Sequence, residues 1–416
     1  MLQLLPVSNT NIEAVRAEYE AIKAQNLALD MTRGKPCGEQ LDLAAGMLDC
    51  LGRDFKAADG TDCRNYGVLE GIPEARALFA ELLEVAPSEV IVGGNSSLAL
   101  MHDAIVQALL KGTEEGAAPW LGQGKVKFLC PSPGYDRHFF ICERYGIEMI
   151  PVAWRDDGPD MDAVERHVRA DPQIKAIWIV PRYNNPTGAV CSEETVERLA
   201  RMPAAPDFRI LWDNAYAVHH LVDDPPPLAN MLRACRAAGH PDRPLIFAST
   251  SKISFAGAGV GVIAASEANV RRLLAGLGIQ TIGHDKLNQL RHVRFFRDAA
   301  GIAAHMRKHA AILTPKFTAV TEILTRRLGG KGIATWSTPQ GGYFISLDVA
   351  DGRAKRVVAL AGEAGVKLTK AGAAFPYGDD PRDRNIRLAP SFPTLPQIRQ
   401  AIELVAICVE LASAEG

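Results

Sequence analysis

Short apolar runs separated by amphipathic stretches dominate the chain between residues 89 and 264. Glu89–Val92, Lys125–Cys130, Glu148–Val152, Ile174–Val180, Phe208–Trp212, Leu245–Ala248 and Gly259–Ala264 read as strands. Leu98–Leu110 and Arg137–Tyr145 read as helices between them. Strands buried on both faces lose the polar alternation of a half-exposed strand. Continuous runs joined by helices therefore predict an α/β fold with a mostly parallel, seven-stranded sheet covered on both sides. Ligands of such sheets bind at the carboxyl ends of the strands.

The rhythm changes after about residue 300. A long helical stretch leads to a strand at Gly341–Leu347, a helix at Ala354–Ala364, strand-like segments at Val366–Thr369 and Asn385–Ala389, and a last helix over Leu395–Ala412. Asn11–Gln25 also reads as an amphipathic helix. The division predicted is a large domain over 61–300 and a smaller α+β domain built from 301–416 with segment 1–60. A helical hinge is expected near 285–310.

Composition narrows the function classes. The 416 residues carry a net charge of −2, which argues against a nucleic-acid partner. No apolar run approaches the roughly 20 residues that span a bilayer. The start, Met1–Pro6, lacks the basic region and apolar core of a signal peptide. Eight cysteines without a Cys-x-x-Cys pair read as reduced thiols, so the cytosol is the expected compartment.

Three motifs fall at or just after the strand-like runs. They are Asn185-Pro186-Thr187-Gly188, Asp213-Asn214-Ala215-Tyr216 and Ser249-Thr250-Ser251-Lys252. An amide, a carboxylate, a phenol and a lysine delivered from successive strand ends suit pyridoxal phosphate. The lysine can form a Schiff base, the carboxylate can keep the pyridine nitrogen protonated, and the amide and phenol can bond the ring oxygen. Each motif alone has a plain alternative: a surface lysine, a helix-capping aspartate, an ordinary turn. Their order is what makes the set specific. Asn95-Ser96-Ser97 opens a helix after a strand, where free backbone N–H groups favour a phosphate or simply a cap.

At these residues the chain resembles the class I aminotransferases, members of the fold-type I pyridoxal-phosphate enzymes, from about Arg33 to the C-terminus. The resemblance implies Lys252 as Schiff base and proton shuttle, with Asp213 and Tyr216 completing the catalytic set. It implies Ser96, Ser97, Ser249 and Ser251 on the phosphate, and Asn185 on the ring oxygen. Tyr135, in Pro131-Ser-Pro-Gly-Tyr-Asp136, matches the aromatic stacked on the ring, with His138 as the alternative register. Tyr66 matches a tyrosine donated across a homodimer interface to the partner's phosphate. Arg387, in Asn385-Ile-Arg-Leu-Ala, matches the arginine that grips the substrate α-carboxylate, which suits a planar fork. Gly34 matches the loop that closes over substrate, and Arg33 is the candidate cation for a side-chain carboxylate.

One position departs from the family. Where an arginine follows the lysine and binds phosphate, this chain has Val260, within Gly257-Ala-Gly-Val-Gly261. Lys286 is a candidate substitute. That run and Arg33-Gly34-Lys35-Pro36 are similar to a divergent subgroup of aspartate aminotransferases. The expected reaction is ping-pong transfer of an amino group between an amino acid, with aspartate favoured, and 2-oxoglutarate. A β-lyase or decarboxylase on the same fold, and a ligand-sensing module, are the alternatives. Gly257–Gly261 precedes a strand, unlike a dinucleotide loop. His305 and His309, spaced four apart, lack a metalloprotease glutamate and sit beside Arg307 and Lys308, so a solvated basic face is expected and no metal.

Overall fold

The computed structural model describes residues 12–114 and 116–415. Met1–Pro6 and Asn11 lie outside them. The large sheet runs, edge to edge, Val90–Val92, Gly261–Ala264, Pro244–Ser249, Arg209–Asp213, Ile174–Ile179, Lys127–Ser132, Glu148–Arg155 and Gly158–Pro159. The seven expected strands are present, and the two-residue Gly158–Pro159 adds an eighth at the edge. Neighbours from Pro244–Ser249 to Glu148–Arg155 are parallel, whereas Gly261–Ala264 runs against both of its neighbours.

The central strands are buried along their whole length. Alternation survives as a choice between two apolar layers. Ile177, Ile179, Ile210, Trp212 and Ile246 join one. Ala176, Trp178, Leu211, Leu245 and Phe247 join the other. Helices cover both layers, which is why these runs read as continuously apolar.

A second antiparallel sheet orders Ala334–Trp336, Ile345–Val349 and Asn385–Leu388. Leu29–Asp30 pairs in parallel with Val366–Lys367. The first helix, Ile12–Lys23, places Val15 and Tyr19 in the same apolar cluster as Ile398 and Ile402 of the last helix, Leu395–Ala414. Tyr19 donates to the Leu360 carbonyl at 2.9 Å. No helix among the described residues is long and apolar enough to cross a membrane.

Two expectations need correction. The strand expected from Gly341 begins at Ile345. A Cβ on Gly341 would lie 2.3 Å from the Tyr183 ring, and Gly342 has a φ of +80°. The glycine pair therefore permits a close crossing and a turn that a strand would not make. His305 and His309 are buried, not solvated. They lie in Ala299–Leu328, on the inward stripe with Ile302 and Leu313, while Arg307 and Lys308 point to solvent. The helical period separates the two faces despite their closeness in sequence.

Candidate active site

Asp213 is the last residue of Arg209–Asp213, in the middle of the sheet, and its side chain is 2 % exposed. One carboxylate oxygen, Oδ2, is 3.0 Å from His138 Nε2. The other, Oδ1, is buried and bonds no protein atom. A buried carboxylate oxygen left without a partner is costly. A protonated pyridine nitrogen is a donor that would satisfy it, so the residues present fit pyridoxal phosphate.

His138 is itself held. Its ring stacks on Trp178 at 4.0 Å between centroids, with 4° between planes. Tyr135 meets it edge-on at 5.0 Å. Asp136–Arg144 is a helix with Tyr135 at its N-cap, so Tyr135 and His138 occupy one turn. The two candidates thus occupy different positions: His138 lies on the Asp213 carboxylate, and Tyr135 packs edge-on against the His138 ring. Sequence reasoning offered His138 only as an alternative aromatic. Its three-residue spacing from Tyr135 was the available signal, but Asp213 is remote in sequence.

Lys252 Nζ lies 5.0 Å from the centre of the Tyr216 ring. Burial pushes the Lys252 pKa below its ordinary value, and Asp213 pulls the other way. Burial raises the Tyr216 hydroxyl well above its usual range, helped by Tyr135 and Asp213, so it is a neutral donor. The backbone at the lysine is anchored too: its carbonyl is 3.2 Å from His219 Nε2 and 3.3 Å from Tyr343 Oη.

The serines converge through glycines. Ser249 pairs with Gly261 in the sheet register. A Cβ on Gly261 would lie 2.8 Å from the Ser96 carbonyl carbon, and one on Gly259 would lie 3.0 Å from Ser251 N. Gly259 and Gly261 therefore let the backbone of Ser249–Ser251 run close to that of Ser96 and Ser97, at the start of the helix Ser97–Lys111. Ser96 also caps that helix, accepting from Ala99 N at 3.4 Å. Val260 is buried, its N–H donating to Thr250 Oγ1 at 2.8 Å. Lys286, the candidate substitute for the missing arginine, donates from Nζ to the Gly67 carbonyl at 2.8 Å.

Arg387 comes from the second sheet, paired in register with Ser346. Its Nη1 lies 3.3 Å from Asn185 Oδ1 and 3.2 Å from Asp136 Oδ1. Its guanidinium sits 5.1 Å from the Phe344 ring centre, and Nε is buried without a partner. A Cβ on Gly34 would lie 2.4 Å from the tip of Phe344. Gly34, Phe344, Arg387 and Asn185 thus form one continuous wall beside Asp213. Two candidate residues lie outside this wall, one of them, Tyr66, expected at a partner's phosphate and not here. Tyr66 is 80 % exposed, and Arg33 is exposed on its loop.

Residues 7–416 match the family model described as aspartate amino-transferase. The aspartate aminotransferase of Corynebacterium glutamicum is 50 % identical over 405 residues, covering 97 % of this chain and 94 % of that one. The crystal structure of an aspartate transaminase from Corynebacterium glutamicum superposes with a TM-score of 0.95 at 50 % identity, over 97 % of this chain and 96 % of that chain. An α-aminoadipate aminotransferase of Thermus thermophilus, solved with N-(5'-phosphopyridoxyl)-L-leucine, shares the fold at a TM-score of 0.76 and 21 % identity, over 97 % of this chain and 98 % of that one. This chain belongs to the aspartate aminotransferase family of fold-type I enzymes and is an aminotransferase.

Proposed function

We propose that the protein is a pyridoxal-phosphate-dependent aspartate aminotransferase that passes the amino group to 2-oxoglutarate by a ping-pong route. The observation that carries this reading is the approach of Arg387 to Asn185, 3.3 Å apart, in a cleft that also holds Asp213 and Lys252. It sets a carboxylate-gripping fork against the residues suited to the cofactor. Bound pyridoxal phosphate would supply an electron sink for the carbanion at the substrate Cα. Lys252 would hold the cofactor, and its depressed pKa favours the neutral amine needed to take the Cα proton. Asp213 would fix the positive charge on the pyridine nitrogen, with His138 holding the carboxylate in place. Asn185 and Tyr216 would donate to the ring oxygen, and the four serines would bond the phosphate. Arg33 is the proposed partner of the side-chain carboxylate. The similarity to a protein named aspartate aminotransferase supports aspartate as donor.

The same reading assigns residues 61–300 to the cofactor-binding domain and 301–416 with 1–60 to the smaller one. It also makes the active unit a homodimer. Tyr66, Ile279 and Ile282 are exposed. Gly283 meets the Gly67 carbonyl so closely that a Cβ there would lie 2.5 Å from it, which brings the two segments that carry these residues together. That apolar patch suits a second copy, with Tyr66 reaching the partner's phosphate. Light scattering giving only the monomer mass would count against it. The reaction is tested by incubating the loaded protein with L-aspartate. Oxaloacetate and pyridoxamine phosphate are expected; pyruvate or carbon dioxide would indicate a lyase or decarboxylase.

A further inference from the structure

Gln40 is fully buried and its carboxamide has every polar position toward the protein filled. Oε1 accepts the Cys37 N–H at 3.1 Å. That bond fixes the orientation of the amide, so Nε2 is the donor to its other two neighbours. These are His309 Nδ1 at 3.0 Å and Tyr343 Oη at 2.9 Å. Because Tyr343 Oη accepts from Gln40, its own proton is free for the Lys252 carbonyl, 3.3 Å away. His309 Nε2 lies 3.1 Å from His305 Nε2, and His305 Nε2 is 2.9 Å from the Ile253 carbonyl. The Tyr343 branch leaving Gln40 therefore ends on the Lys252 carbonyl, whereas the His309 branch ends at His305, whose Nε2 cannot both accept from His309 and donate to the Ile253 carbonyl.

The other end of Gln40 lies on a different part of the chain. Cys37 closes the segment Arg33–Cys37, whose Gly34 packs against Phe344 under Arg387. On its far side the lysine turn is held separately, through His292, which lies 3.0 Å from Thr250 Oγ1 and 2.8 Å from Ser254 Oγ. Gln40 is thus the junction between the loop beside the substrate wall and the backbone of the lysine. We propose that Gln40 is a positioning residue: through Tyr343 it makes the placement of the Arg33–Cys37 loop and of Lys252 interdependent. This rests on the assignment of Lys252 as the cofactor lysine. Gln40 itself touches neither substrate nor cofactor.

Three full-length variants test it: Gln40→Leu, Tyr343→Phe and the double substitution. Amide hydrogen exchange is followed in peptides covering residues 33–37 and 250–254, with and without cofactor. The pH titration of the lysine-bound chromophore and the single-turnover rate with L-aspartate are measured beside it. Tyr343→Phe should raise exchange in the 33–37 peptide as well as in 250–254, although the removed hydroxyl contacts only Gln40 and the lysine carbonyl. It should shift the chromophore titration midpoint and lower the turnover rate about tenfold, with the double variant no worse than the poorer single, as coupled sites require. A simple loss of stability would not move the titration. If Gln40→Leu does not fold, Tyr343→Phe decides the matter by the same readouts. Unchanged exchange at 33–37 and an unchanged midpoint, or effects that multiply in the double variant, overturn the proposal. Borohydride trapping separates the two levels. A label on a lysine other than Lys252 overturns the underlying assignment, whereas a label on Lys252 with uncoupled segments overturns only the role of Gln40.

Discussion

His138 Nε2 stands 3.0 Å from Asp213 Oδ2 in a region closed to solvent, while the second carboxylate oxygen of Asp213 is buried without a partner. The pair divides the carboxylate into a held oxygen and an open one. Asp213→Ala should fold and lose about 10²–10³-fold in turnover, the scale of removing one aimed electrostatic group. His138→Phe, which keeps the stack on Trp178 but drops the bond, should lose about tenfold, since a bond to a charged group contributes about 1.5–3 kcal/mol. Steady-state kinetics on both variants check the ranking. Near wild-type turnover in Asp213→Ala would reduce the aspartate to a structural partner of His138.

Arg387→Lys should weaken aspartate binding and spare the cofactor. The lysine keeps a charge but loses the paired N–H fork. One lost bond of about 1.5–3 kcal/mol raises the apparent KM by roughly tenfold or more. A parallel cofactor titration is the control. Normal aspartate binding with weakened cofactor would mean that Arg387 serves the phosphate.

Gly261→Ala should release the cofactor. Its Cβ would press on the Ser96 carbonyl carbon, 2.8 Å away, and force apart the segments that carry the four serines. Dialysis followed by absorbance should show faster loss than in the parent protein, with little change in the fold by circular dichroism. Equal retention would show that the serines do not form the phosphate site.

Burial lowers the pKa of His309 from 6.5 to about 4. The folded protein therefore binds fewer protons than the unfolded chain between those values. Stability from this group is present in full above about pH 6.5 and is lost as pH falls toward 4. The Tm of the parent should drop across that window, and His309→Gln should drop less steeply. An identical slope in both would place the acid sensitivity elsewhere.

Much of this was legible in the sequence. Asn185, Asp213 and Lys252 could be read because each polar residue follows an apolar strand, and strand ends are where an α/β sheet gathers its ligands. Residues whose meaning depends on distant partners could not be read. His138 needs Asp213, and Gln40 needs His309 and Tyr343, all far along the chain. His305 and His309 were misread because Arg307 and Lys308 lie between them. The helical face they share is decided by what packs there, which no local window contains. The strand order was equally hidden, since the reversal at Gly261–Ala264 depends on pairing with Val90–Val92, far along the chain.

The central claim is that Lys252 holds the cofactor. Its most direct test is borohydride reduction of the loaded protein, proteolysis, and mass spectrometry of the labelled peptide. One pyridoxyl group is expected on Lys252, absent when L-aspartate is added before the borohydride. A label on any other lysine, or one that aspartate does not displace, would contradict it.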